Sequence, residues 1–482
     1  MRPTVYIRVE ASAVIGLGHL VRCIALAQMI AEAFKVVFCC KALPESFIAE
    51  LSALDFQLVR IREEQDFLSR LDASCIVVLD HYDFDDAYQG AIKSKGAKLV
   101  CLDDINDKTF LADVILNQAP LADASSYRAA LHTQYAFGLD YVLLRPVFLE
   151  AAKMKQQVRS TLDVVVCFGG ADPKNITQDV VQVLQQDQRF RRVDVIVGAA
   201  YGFLQDIMAA VEGDNRFTVH HALGEVRMCA LLSEAGLAIV PASGVLQEAL
   251  ATGCSVISGL YVENQVLNYN SYLALGAFES AQAFEDNDLK NALDAVLTAG
   301  GADKKWIDGQ SGLRVLKLFQ QLVREDTFFL ARAGEGDLLR TFSWANDATI
   351  RKYSFSHKKI TLEEHRRWYI GKINNKNCFY YLGVIGEQAV GSIRFDVDGD
   401  TAVISYFIDP AYHQQGLGLM LLKKGVCQLV KERHVRLTKL VGMVMVENVA
   451  SVKAFERLGY KKYTEQGNYK FVKTISDENR VI

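Results

Sequence analysis

The chain has almost no net charge: 53 Lys and Arg against 57 Asp and Glu leave −4 over 482 residues. So even a balance excludes the basic face that the phosphates of nucleic acid require. Long apolar runs are also lacking. No stretch approaches the roughly 20 residues that cross a bilayer, and the opening MRPTVYIRVEAS reads as a strand and loop without the apolar core of a signal peptide. The expectation is a cytoplasmic protein with neither membrane nor nucleic acid as a partner. There is no C-x-x-C pair and no Cys/His cluster at metal-ligand spacing. The ten cysteines sit mostly in apolar runs such as SCIVVLD (Cys75) and VVVCFGG (Cys167), and are read as buried thiols, with no metal expected. Internal repeats and low-complexity tracts are missing too. Together with 50% hydrophobic and 23% charged residues, this excludes disordered and fibrous classes.

At roughly 150 residues per domain the length suggests about three domains. From residue 4 to about 150, short β-rich runs (TVYIRV, KVVFCC, CIVVLD, KLVCLD, VILN) alternate with helical stretches. In one of these, residues 20–33, Leu20, Ile24, Ala27 and Ile30 or Ala31 recur at i, i+3/i+4 spacing. Such alternation implies a parallel sheet covered on both faces. After LRPVF and a polar helix around 149–159, the rhythm restarts with DVVVCFGG, VDVIVG, AGLAIVPAS and CSVISG, a second α/β unit. Open sheets of this kind bind ligands outside the carboxyl ends of their strands, so an active site where the two units meet is predicted. Beyond about 325, antiparallel-looking strands CFYYLGVIG, QAVGSIRFDVDG and TAVISYFID predict a third, α+β domain. Its joint near 310–326 is helical rather than rich in Pro and Gly, so it should be held fairly rigidly. The predicted domains are 1–155, 156–322 and 325–475.

IRVEASAVIGLGHLVRCIALA places Gly16 and Gly18 in a loop leaving the first strand, with His19 at or beside a helix start and Arg22 one turn on. A Gly-rich strand-to-helix turn lets amides approach an anion, and a helix N-terminus favours negative charge. A histidine held there tends to stay neutral, which suits a general base acting on water. Alternatively the glycines only make the turn, and His19 caps or packs. In FGGADPKNIT, Gly169 and Gly170 end a strand, and Asp172 or Asn175 could cap the next helix. PASGVLQEAL sets Ser243 and Gly244 at another such turn. Amides there can hold a diphosphate while Glu248, about one helical turn later, reaches ribose hydroxyls; on the plainer reading Glu248 is a solvated helix residue. Asn264 and Gln265, in ENQ, could equally be loop surface.

These runs, with DHYD at 80–83, LDD at 102–104, LNQ at 116–118 and YVLLRPVF at 141–148, resemble the UDP-sugar hydrolases of pseudaminic acid biosynthesis over about residues 1–320. The resemblance implies a glycosyltransferase-B-like pair of Rossmann-type domains. It also implies cleavage by water, without a metal, of the bond between UDP and the anomeric carbon of 2,4-diacetamido-2,4,6-trideoxy-β-L-altropyranose. By the same resemblance His19 is the essential histidine, Tyr82 and Asn264 line the sugar side, and Ser243, Gly244 and Glu248 line the nucleotide side. One departure is Glu10 in VEAS, where the family has Asp; the extra methylene keeps the charge but moves it. Departing UDP calls for donors, which the turns supply, and water calls for a base, the role predicted for His19.

In the third domain, TAVISYFIDPAYHQQGLGLMLLKKGV reads as strand, turn, Gly loop and helix, with Gln414, Gln415, Gly416, Leu417 and Gly418 opening the helix. Successive amides at such a start form a pyrophosphate nest. With LVGMVMVENVASVKAFERLGYKK, a strand ending at Asn448 followed by a helix and RLGY, this resembles the acetyl-CoA-dependent N-acetyltransferase (GNAT) superfamily. The resemblance implies acetyl-CoA as co-substrate, held by residues 414–418 and Asn448, and polarisation of the thioester carbonyl by the backbone of 403–408. His413 stands where Arg or Gln is usual. Phe455 stands where many members carry the Tyr that protonates the leaving thiolate, with Tyr460 and Tyr463 as possible substitutes. FSWANDATIRKYSFSHKKITLEEHRRWY (342–369) resembles the subgroup that acetylates the 4-amine of a UDP-amino sugar, through Trp344, Asn346, Asp347, Arg351, His365 and Trp368. Asn346, Arg351 and His365 are the implied substrate contacts. On the plainer reading both tryptophans are core, Arg351 is a surface helix residue, and His365 packs or caps.

With these resemblances the sequence predicts a bifunctional nucleotide-sugar enzyme, N-acetyltransferase and UDP-sugar hydrolase in consecutive steps. The alternatives are a UDP-sugar glycosyltransferase with an appended acetyltransferase, and a hydrolase with a non-catalytic acetyl-CoA-sensing domain.

Overall fold

In the first part of the chain the β-branched runs form five parallel strands, in the order Gln57–Arg60, Lys35–Cys40, Thr4–Val9, Ile76–Asp80 and Lys98–Leu102. The computed structural model describes residues 2–10, 18–154, 159–260, 262, 265–300, 305–432 and 437–476. Ile76, Val77, Val78 and Leu79 are at most 2% exposed, because helices cover both faces of the sheet. The chain order third, second, first, fourth, fifth puts a switch point between Thr4–Val9 and Ile76–Asp80. There the connections leave in opposite directions and open a crevice at the strands' carboxyl ends. The helix Gly18–Ile30 buries Leu20, Ile24, Ala27 and Ile30 as the spacing predicts, and ends where the Ile30 carbonyl accepts the amides of Ala33 and Phe34.

A second sheet repeats the plan: Phe217–His221, Arg192–Val197, Asp163–Cys167, Leu237–Pro241 and Ser255–Gly259, with the short Glu279–Ser280 at its edge. Its switch point lies between Asp163–Cys167 and Leu237–Pro241, so the turns after these two strands flank one crevice. Both sheets belong to one unit, Met1–Asp107, Leu116–Ala122 and Ala136–Leu318. The helix expected near 149–159 runs from Pro146 to Lys153, opened by a proline where no amide partner is needed.

The other unit comprises Lys108–Ile115, Asp123–Tyr135 and Phe319–Ile482. Its main sheet has seven strands in the order Phe328–Arg332, Cys378–Ile385, Gln388–Asp398, Thr401–Ile408, Lys439–Val444, Asn468–Thr474 and Lys461–Glu465. Within that sheet Thr401–Ile408 and Lys439–Val444 are parallel and the other described pairs antiparallel; Thr109–Phe110 and Arg128–Ala129 form a separate parallel pair. Helices Leu417–Glu432 and Val449–Arg457 pack on one face, around Ile393, Phe395, Ile404, Met420, Phe455 and Phe471. Because strand side chains alternate, Tyr381 joins that core while its neighbours Tyr380 and Leu382 face the helices Leu362–Ile373 and Leu338–Asn346.

Residues 108–135 read as part of the first domain in the sequence, yet 108–115 and 123–135 complete the second unit. Leu131 is 3% exposed in its core, and the Lys473 ammonium donates to the Leu131 carbonyl (3.2 Å) and the Leu458 carbonyl (2.7 Å). Gly459 of RLGY has φ +71°, and a Cβ there would stand 2.6 Å from the ring of Tyr135. Gly459→Ala is therefore expected to lower stability by about 1–3 kcal/mol, combining backbone strain with displacement of that ring. An unmoved urea midpoint would contradict this. All ten cysteines are free, and only Cys427 is not fully buried. No helix among the described residues is long and apolar enough to cross a membrane.

Candidate functional site

His19 occupies the first turn of Gly18–Ile30, at the carboxyl end of the central strand, and Asp80 ends the neighbouring strand across the switch point. His19 Nδ1 lies 2.6 Å from Asp80 Oδ1. Arg22, one turn further, donates through Nε to Asp80 Oδ2 and through Nη1 to Asp104 Oδ2, both at 2.7 Å. Its Nη2, 2.9 Å from the same imidazole nitrogen, donates to Asp80 Oδ1. Asp80 is fully buried. Burial alone would raise its pKa, but Arg22 and His19 reverse that and hold the carboxylate well below its usual range. An ionised Asp80 accepts the Nδ1 proton and leaves the lone pair on Nε2, the tautomer a general base needs. The ring of Tyr82 stands edge-on to His19, with centroids 4.8 Å apart. Next to it His81 has a buried Nε2 without a partner, and burial lowers its pKa.

Arg22, predicted as a substrate contact, has its guanidinium on Asp80 and Asp104 and so braces the dyad. Gly18 is exposed at the helix start, whereas Gly16 and Asn264 lie outside the described residues. Glu10 accepts from the Lys41 amide at 3.1 Å and pairs with Arg8 at 2.6 Å.

Around the second switch point, Gly169 has φ +83° and Gly244 opens its helix; a Cβ at either would meet nothing within 4 Å. Gly170 is packed tightly, its carbonyl 2.3 Å from where a Cβ on Gly198 would stand. Ser243 is the N-cap residue of Gly244–Thr252 but makes no side-chain cap. Asp172 rather than Asn175 caps the helix Ile176–Gln186, accepting from the amides of Ile176 and Thr177, while Asn175 takes a left-handed conformation. Glu248 is not solvated: it is 5% exposed and accepts from Arg145 Nη2 at 2.6 Å. Gln265 has a buried Oε1 without a partner.

In the second unit the predicted substrate contacts hold the protein itself. Asn346 clasps the backbone of Ile360 through both ends of its amide, each at 3.0 Å, and Arg351 donates to the carbonyls of Ser356 and Lys358. Together they fix the loop before Leu362–Ile373. His365 is 2% exposed, 3.1 Å from the Thr341 hydroxyl and packed among Phe342, Trp368 and Tyr369. Its Nδ1 is buried without a partner, and Thr361 is the cap. Trp344 is core, with its indole N–H on Asp409 at 2.8 Å. Trp368 is not: it is 39% exposed, with Arg394 stacked 4.9 Å from its ring centroid.

The turn before Leu417–Glu432 has Gln414 at φ +63° and Gly416 at φ +76°. Gln415 lies between them, and Leu417 and Gly418 begin the helix. Alternating backbone of this kind points successive amides to one side, an anion nest that needs no charged side chain. His413 turns away, with Nε2 2.9 Å from the Ile408 carbonyl. The side chain of Asn448, predicted to touch the cofactor, caps its helix by accepting the Ser451 amide. Among the described residues no three His, Cys, Asp or Glu side chains are placed to hold a metal ion.

Asp80, Asp104 and Arg145 had no role assigned from sequence. The signal was present in DHYD, LDD and LLRP: the two acids stand at or just after strand ends that the parallel order brings beside the first helix.

Residues 328–461 match the family described as acetyltransferase (GNAT) domain. An uncharacterized protein of Methanocaldococcus jannaschii is 21% identical over 480 residues, 95% of this chain and 96% of its own. The UDP-2,4-diacetamido-2,4,6-trideoxy-beta-L-altropyranose hydrolase of Campylobacter jejuni is 25% identical over 274 residues, covering 54% of this chain and 93% of that protein. The spore coat polysaccharide biosynthesis protein SpsG of Bacillus subtilis is 21% identical, covering 64% and 96%. Among solved structures, spermidine N-acetyltransferase from Vibrio cholerae with CoA and spermine is 19% identical, covers 31% of this chain and 94% of that chain, and has a TM-score of 0.28. The chain thus carries a GNAT acetyltransferase domain, preceded by a region homologous to the Campylobacter protein.

Proposed function

We propose that this is a bifunctional nucleotide-sugar enzyme of nonulosonic acid synthesis, acting in the cytoplasm. Its GNAT domain transfers acetyl from acetyl-CoA to the 4-amine of a UDP-4-amino sugar. Its first unit hydrolyses the product, UDP-2,4-diacetamido-2,4,6-trideoxy-β-L-altropyranose, to UDP and free sugar. The observation that carries the reading is the His19–Asp80 dyad braced by Arg22 at a sheet switch point, in a region matching 93% of the Campylobacter hydrolase.

In this reading the two parallel sheets are a glycosyltransferase-B-like pair. Nε2 of His19 takes a proton from water as the oxygen attacks the anomeric carbon, and Asp80 stabilises the imidazolium. The bond to UDP breaks, and the amides at Gly169, Gly170, Ser243 and Gly244 meet the charge that leaves. Arg145 holds Glu248 through Oε1, and Oε2 is the oxygen that would reach a ribose hydroxyl. In the second unit the amides of 414–418 hold the pyrophosphate of acetyl-CoA, and the backbone of 403–408 polarises the thioester. Tethering the two steps raises local substrate concentration.

The test is mass spectrometry of the full-length protein with the UDP-4-amino sugar and acetyl-CoA. Both an acetylated product and one lacking UDP are expected. Release of UDP only when a sugar or peptide acceptor is added would make the first unit a glycosyltransferase. Acetyl-CoA binding without turnover would make the second a sensor.

A further inference from the structure

We propose that Tyr406 is the proton donor to the departing thiolate of acetyl transfer, the role that Phe455 cannot fill. The inference rests on reading residues 328–461 as an acetyltransferase, and it names a residue that the sequence motifs do not.

Phe455 has no proton to give. Its ring is 1% exposed, stacked on Phe471 at 5.0 Å, and so close to Gly442 that a Cβ there would stand 2.4 Å from it. The two tyrosines suggested by sequence fit no better. Tyr463 is half exposed on the edge strand Lys461–Glu465. Tyr460 is 6% exposed, edge-on to Phe455 at 4.9 Å, with a buried hydroxyl that meets no partner.

Tyr406 is differently placed. Strands Thr401–Ile408 and Lys439–Val444 pair in register from Thr401 with Lys439 to Ile404 with Gly442, and then run on without pairing to each other. Tyr406 is two residues past the last pair, so it points to the same helix-covered face as Ile404. Its hydroxyl donates to Ser451 Oγ at 3.1 Å, in the first turn of Val449–Arg457. Its ring lies 3.5 Å from where a Cβ on Gly418 would stand, in the first turn of Leu417–Glu432. The phenol therefore bridges the starts of both helices where the strands separate, beside the turn built to hold a pyrophosphate. Burial pushes its pKa up to about 12, against a smaller opposite pull from Ser451, so it is protonated at neutral pH.

The step balances without any further reactant. The amine nitrogen bonds to the acetyl carbon, the C–S bond breaks, and sulfur leaves with the electron pair and takes the Tyr406 proton. The tyrosinate recovers a proton from the acylated nitrogen through solvent, giving an amide and a free thiol.

Steady-state acetyl transfer by the full-length protein, with acetyl-CoA and the UDP-4-amino sugar, tests this. Tyr406→Phe keeps the ring and is expected to lower kcat about 10–100-fold, with KM for acetyl-CoA within about threefold. Ser451→Ala, which releases the hydroxyl without removing it, is expected to lower kcat about 3–10-fold. Turnover of Tyr406→Phe within twofold of the parent overturns the proposal and leaves the acetyltransferase reading intact, as does a loss confined to KM. An inactive parent protein overturns both. Should Tyr406→Phe melt early, Ser451→Ala decides by the same kcat criterion.

Discussion

Replacing Asp80 with asparagine is expected to lower UDP release about 10³–10⁴-fold while UDP affinity stays within a few fold. Asp80 faces donors on both sides, Arg22 on one oxygen and His19 with Arg22 on the other. Either way round, an asparagine amide sets its NH2 against one Arg22 N–H, at Nε or at Nη2. With its oxygen on Nε, the NH2 group also meets His19 Nδ1, which must become an acceptor. The imidazole proton moves to Nε2, and the nitrogen facing water loses its lone pair. Arg22 keeps Asp104, so the fold is expected to hold. His19→Ala should fall by about 10²–10⁴. Since the pair acts as one device, the double variant should be no slower than the worse single one. A coupled assay for UDP and calorimetric titration with UDP measure both quantities. Asp80→Asn turnover within tenfold of the parent would remove the dyad from the mechanism.

This device shows how far the sequence could be read. Periodicity located the parallel strands and first helix because those signals are local: Ile76–Leu79 is an apolar run covered on both faces, and Leu20, Ile24 and Ala27 mark one helical stripe. The glycine turns and His19 were legible for the same reason. What Asp80 does was not, because its partners lie 58 and 61 residues away and only the strand order brings them together. Composition likewise hides Glu248, which looks like any carboxylate on a helix until Arg145 is found 103 residues away. In the second unit the residues picked out by motif are engaged only in part. Asn346 and Arg351 hold the Ile360 backbone and loop carbonyls, and His365 lies among aromatics, while Arg351 Nε and His365 Nδ1 are buried without a partner. Motif spacing shows which residue types are present; it does not show which of their atoms are already engaged.

Lys423 carries the second large effect, and the same reasoning predicts it. In MLLKKGV it looks like a solvated lysine, but it is 5% exposed, with Nζ 3.0 Å from Glu325 and 3.9 Å from Asp113. Burial works against its charge, and the two carboxylates outweigh that and raise its pKa. Glu325 follows the helix Ser311–Arg324, and Asp113 comes from the segment 108–115 that completes the second unit. Lys423→Ala leaves the buried Glu325 carboxylate without its cation and takes one of the charges facing Asp113, which also has His132 3.7 Å away, and the expected loss is about 3–5 kcal/mol. Urea unfolding should show a lower midpoint at unchanged slope. Removing charge from both partners, as Lys423→Met with Glu325→Gln, leaves fewer ions to desolvate and should recover more than half of the loss. A midpoint unmoved by Lys423→Ala would mean that water reaches the carboxylates and the pair contributes as little as a surface bridge. If the midpoint falls, acetyl transfer should fail at a lower temperature too, because Lys423 belongs to the helix whose first turn follows Gln414 and Gly416.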